Sequence, residues 1–139
     1  MMKAGYGAYK GAQTETKDQG KLILVTYDIA IKHAKLALEV FDDKKKIEER
    51  AKHIFKIQDA LEELQIALNM DAGGEIAANL FQLYTYMYNV TVEANIRTDK
   101  TKIEEVLQYL ETLREAWAQA NLKSKAESAP ELNLENAAV

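Results

Sequence analysis

A chain of 139 residues, 47% hydrophobic and 29% charged, is long enough for one domain with a buried core and apolar enough to offset its chain entropy. A net charge of -4 sets the average field against nucleic-acid backbones and anionic lipid surfaces, and the absence of cysteine excludes disulfide scaffolds and thiolate metal sites. No run of about eighteen apolar residues offers a membrane span, and residues 1–9 lack the apolar stretch of a secretory signal, so a cytoplasmic location is expected.

Residues 1–15 carry scattered glycines and no helical periodicity, yet they hold two large apolar groups, Tyr6 and Tyr9. They are expected to form an N-terminal arm that docks on something. The one proline is Pro130, so between residues 16 and 121 nothing forbids helix on proline grounds. Apolar residues recur at helical spacing over 22–41, 47–68, 76–94 and 103–120, which predicts four helices. Asp42 and Asp43 ahead of Lys44 mark the first break. Asn69 to Gly74 supplies a Gly-Gly stop at the second, and Asp99 is placed to cap the last helix. At 1.5 Å per residue the helices span about 30–38 Å. Short loops between elements of matched length predict an all-α fold, an antiparallel up-down-up-down four-helix bundle over 16–121. From 122 to 139 the pattern fades into Lys, Ser, Ala, Glu and Asn, and a flexible, disordered tail is expected.

The first helix has two apolar stripes: Leu22, Val25, Ile29, Leu36 and Val40 on one side, Ile23, Tyr27, Ala30, Ala34 and Phe41 on another. The third sets Leu80, Leu83, Met87 and Val90 beside Phe81, Tyr84 and Tyr88. Surplus apolar surface of this kind means either a deeply buried helix or an exposed groove, and burial is the commoner case.

The chemistry-bearing residues form no catalytic pattern. His33 and His53 lie in mid-helix on different helices, and a di-iron bundle would want Glu three positions before each, where Ala30 and Arg50 stand. Glu49 and His53 share a face but are too few ligands for a dedicated metal site, so structural histidines are the reading. Gly73 and Gly74 follow no strand and precede no Lys-Ser or Lys-Thr, which excludes a phosphate loop. Carboxylate pairs such as Glu48 with Glu49 and Glu62 with Glu63 are adjacent in sequence and diverge on a helix. The four helices hold no serine, and with cysteine absent the usual acyl-transfer nucleophiles are missing. The chain is expected to be no enzyme and to need no cofactor or metal.

Several stretches resemble the FliS family of flagellin-specific export chaperones. Tyr6-Gly7-Ala8-Tyr9 and Leu22-Ile23-Leu24-Val25-Thr26-Tyr27-Asp28 are similar to its two-tyrosine N-terminal segment and its LYD element. The run from Ala67 to Leu80 through Gly73-Gly74-Glu75-Ile76, then Leu83-Tyr84-Thr85-Tyr86-Met87, is similar to its helix-turn-helix signature around a double glycine. Ala94-Asn95, Asp99 and Leu113-Arg114-Glu115-Ala116-Trp117 continue the match in order. The sequence departs from the pattern at Ile29, where a small residue is common, and over 17–20, where a proline is often found.

The resemblance implies a cytoplasmic chaperone that binds the disordered C-terminal segment of flagellin, blocks its premature polymerisation and delivers it to the flagellar export apparatus. It also implies that the arm lies over part of the client surface when the client is absent, and that Tyr6, Tyr9, Ile23, Tyr27 and Tyr84 take part in client binding. Two rivals remain from the residues themselves: a metal- or oxygen-handling bundle enzyme, weakened by the failed Glu and His spacing, and an oligomeric helical assembly factor for another partner.

Overall fold

The computed structural model describes the backbone of residues 2–138 and the side chains of residues 19–124. Four helices follow one another: α1 (Met2–Val40), α2 (Ile47–Ala67, preceded by a 3-10 turn, Lys44–Lys46), α3 (Met70–Arg97) and α4 (Lys100–Ala138). The expected arm with Tyr6 and Tyr9, and the tail from 125 on, lie outside the described side chains. Helix α1 packs side by side on α2 and α4, and α3 packs on the same two. With connections this short, neighbours run antiparallel, and the expected up-down-up-down bundle results.

The turns show why the helices stop where they do. Asp43 accepts from the Lys45 N–H at 2.9 Å and caps the 3-10 turn. Thr98 closes α3 in the left-handed region at φ 51°, and the Asp99 carboxylate then accepts from the Thr101 N–H at 3.1 Å and its hydroxyl at 2.6 Å. Those bonds favour the ionised carboxyl and hold Asp99 below the usual carboxylate range.

The second connection differs from the expectation. Helix α2 ends at Ala67, Leu68 is extended, and Asn69 caps a single helical turn by accepting from the Ala72 N–H at 3.0 Å. Gly74, at φ 55° and ψ -129°, breaks that turn before the long part of α3 begins. Helix α2 thus stops within a residue of the expected end at 68, and the difference is that residues 70–73 of the expected break form a helical turn which the double glycine ends, because an Asn side chain satisfies that turn's orphan N–H groups as soon as the chain turns extended. Gly74 occupies backbone space that a Cβ strains. Gly74→Ala is expected to lower stability by about 1–3 kcal/mol, read as a shift of the denaturation midpoint at constant slope.

The core follows the second α1 stripe. Tyr27, Ala30, Ala34, Ala37 and Phe41 are buried against Ile54, Ile57 and Leu61 of α2, Met87 and Ala94 of α3, and Ile103, Val106 and Leu110 of α4. Each buried Ile or Leu is worth about 1.5–3 kcal/mol, and the three alanines keep that face of α1 small where its neighbours pack. Polar clamps set the α2–α3 register. Gln58 donates to the Thr91 hydroxyl at 3.1 Å, and Gln65 donates to the Thr85 hydroxyl at 2.7 Å and to the Phe81 carbonyl at 3.2 Å. An amide in such a seam costs stability unless it meets its partner, so sliding the helices is disfavoured. Arg50, buried over the Phe41 ring at 5.0 Å, donates to the Phe41 carbonyl just beyond the end of α1, where helix carbonyls lack partners.

Candidate functional site

At one end of the bundle the helices part and leave a pocket of about 480 Å³. Its walls are the α1 segment around Gly20 and Ile23, the end of α2 at Leu64 and Leu68, Tyr84 of α3, and Trp117 and Ala120 of α4. Gly20 of α1 faces Asn121 of α4, whose side-chain oxygen would lie 2.5 Å from a Cβ at position 20 and would have to turn aside to admit one.

Tyr84 connects this pocket to the core. Its hydroxyl shares a 2.5 Å hydrogen bond with the Tyr27 hydroxyl, with ring centroids 6.5 Å apart and planes tilted by 57°. The pair joins α1 to α3 across the bundle diagonal, and both residues are essentially inaccessible, at 0% and 1% exposure. Burial pushes both phenols upward; for Tyr27 the bond to Tyr84 adds to the rise, and a hydrogen-bonding contribution from Trp117 opposes it at both. The hydroxyls therefore stay neutral, and their chemistry is that of a satisfied polar pair beneath an apolar pocket.

The residues expected to meet a client fall in two groups. Ile23 and Tyr84 come together as pocket walls, with Tyr27 joined to them through Tyr84. Tyr6 and Tyr9 lie outside the described side chains. The two α1 stripes part only over the first half of the helix: in the first stripe Leu36 is half-buried and Val40 is buried at 7% exposure. The Tyr27 stripe enters the core, while Leu22, Val25 and Ile29 face solvent, Val25 at 51% exposure.

Further apolar side chains stand out of the core elsewhere. On α3, Phe81 is 42% exposed, next to the Gln65 clamp. On α2, Phe55 and Ile66 lie on one face three turns apart and are 52% and 73% exposed. Sequence reasoning passed over this α2 pair; the available signal was their spacing, offset from the core row Ile54, Ile57, Leu61 and Leu64. Trp117 entered only as part of a resemblance, although it walls the pocket.

His33 and His53, read as separate structural histidines, meet with their Nδ1 atoms 3.0 Å apart. Among the described residues no group of three His, Asp or Glu is arranged to hold a metal ion. None of the described helices is long and apolar enough to cross a membrane.

The chain matches the family model described as flagellar protein FliS over residues 2–124. It is 32% identical over 115 residues to the flagellar secretion chaperone FliS of Bacillus subtilis, covering 83% of this chain and 84% of that protein. Against the flagellar secretion chaperone FliS of Salmonella typhimurium it is 40% identical over 95 residues, 68% of each chain. Against that of Campylobacter jejuni it is 29% identical over 119 residues, 84% of this chain and 90% of the relative.

Proposed function

This chain belongs to the FliS family of flagellar proteins, and from that premise we propose that it is a cytoplasmic export chaperone whose client is the disordered C-terminal segment of flagellin. By holding that segment it prevents premature polymerisation and delivers the subunit to the flagellar type III export apparatus. The role is one of binding and release, without catalysis.

The observation that carries this reading is the apolar surface left outside a complete core: Leu22, Val25 and Ile29 on α1, Phe55 and Ile66 on α2, Phe81 on α3, and a pocket at the bundle end. A monomer rarely leaves such rows in water without a partner. A client helix would set its own apolar residues, spaced i, i+3, i+4 and i+7, against these rows. Ile23 and Tyr84 offer it pocket walls, Tyr27 supports Tyr84 from below, and the arm with Tyr6 and Tyr9 covers part of this surface until the client displaces it.

Calorimetric titration with the C-terminal segment of flagellin from the same source, at several temperatures, tests the proposal. Binding with a large negative heat-capacity change is expected, because apolar burial is coupled to ordering of the client. Absence of binding by a chain with its helicity intact would remove the proposed client. The chain lacking residues 1–15 should keep its helicity and bind with altered affinity.

A further inference from the structure

His33 and His53 face one another across the α1–α2 seam, with Nδ1 atoms 3.0 Å apart, ring centroids 5.2 Å apart and planes inclined by 34°. Two ring nitrogens at this distance share one proton: one donates and the other must accept. On the outer side of His53, Nε2 lies 3.7 Å from the Glu49 carboxylate, one turn earlier on α2. That contact favours a proton on His53 Nε2, so in the neutral pair His53 Nδ1 accepts from His33.

One added proton is accommodated. His53 as an imidazolium would donate from Nδ1 to His33 and lie 3.7 Å from the Glu49 carboxylate, with His33 shifting its own proton to Nε2. A second added proton leaves two N–H groups pointed at each other with no acceptor between them. The surrounding charges act the same way. Burial, then the positive charges of His53, Lys32 and Lys56, disfavour protonation of His33. Glu49 is the carboxylate paired with His53. On α4, Glu111 and Arg114 are taken up by Lys35 and Asp28.

We propose that the His33–His53 contact is a proton-operated latch between α1 and α2, closed with none or one added proton and open with two. His33 lies on α1 four residues after Ile29 and three before Leu36, so opening the latch loosens the seam beside the exposed α1 row. The latch is a property of the free chain and stands whether or not flagellin is the client.

The sign of its effect follows from proton counts. As the pH falls through about 6.5 the unfolded chain takes up protons on both imidazoles while burial and neighbouring positive charge hold His33 unprotonated in the folded chain, so stability falls as the pH is lowered, until the folded pair takes its second proton. One proton of difference corresponds to a tenfold loss in the folding equilibrium constant per pH unit.

The test is an NMR titration of the two imidazole Cε1–H signals in the intact chain, paired with denaturant unfolding from pH 7.5 to 5 of wild type, His33→Gln and His53→Gln. The latch predicts two unequal titration steps, the lower one below the ordinary histidine value, and a flatter pH dependence of stability in either variant. Independent titration of both rings near 6.5, or parallel stability profiles in all three proteins, would overturn it. The NMR arm uses wild type alone and so decides the matter even if a variant fails to fold.

Discussion

Tyr84→Ala is expected to destabilise the bundle by about 3–5 kcal/mol, the range for deleting a large buried aromatic side chain, and Tyr84→Phe by about 1–3 kcal/mol. The first change empties the centre of the α1–α3 diagonal and opens the pocket into the core. The second keeps the ring and removes only the hydroxyl, leaving the Tyr27 hydroxyl buried without its 2.5 Å partner. Both effects are read from denaturant unfolding at constant slope. A negligible cost for Tyr84→Phe would mean that another donor or acceptor, such as water from the adjoining pocket, satisfies Tyr27. The pair would then matter for packing alone.

The second large effect concerns binding. Leu22→Glu and Phe81→Glu are each expected to weaken capture of the flagellin segment by roughly thirtyfold or more, as loss of a contact worth about 2 kcal/mol requires. Both side chains are substantially exposed, Leu22 at 48%, so the fold should lose no more than about 0.5 kcal/mol. Calorimetry gives the affinity, and a chemical melt of each variant verifies the bundle. Unchanged affinity in both variants would move the client off these rows. Loss in one alone would tell which helix face it occupies.

These two predictions divide along the line between local and tertiary information. The four helices, the break at Asp42 and Asp43, the Asp99 cap and the bundle class were legible in the sequence, because hydrophobic period and cap chemistry depend on residues within a turn or two of each other. The second break was legible at 69–74, but the helical turn within it at 70–73 was not. Asn69 and Gly74 both carry helix-boundary signals, and the order in which they act depends on the extended backbone at Leu68.

The sequence by itself therefore determined the class of the fold, the number of its helices, the lack of a catalytic residue pattern and the family resemblance, but not the lengths of α1 and α4, which run 39 residues each. It also held the two apolar stripes of α1, since a stripe is a property of one helix. Tertiary structure alone decided which stripe enters the core, because that depends on where α2 and α4 press against α1. It decided too that Tyr27 meets Tyr84, 57 residues away, and that His33 meets His53, 20 residues away. Such contacts are set by how helices stack and in what register, and no local period encodes a side chain's neighbour on another helix.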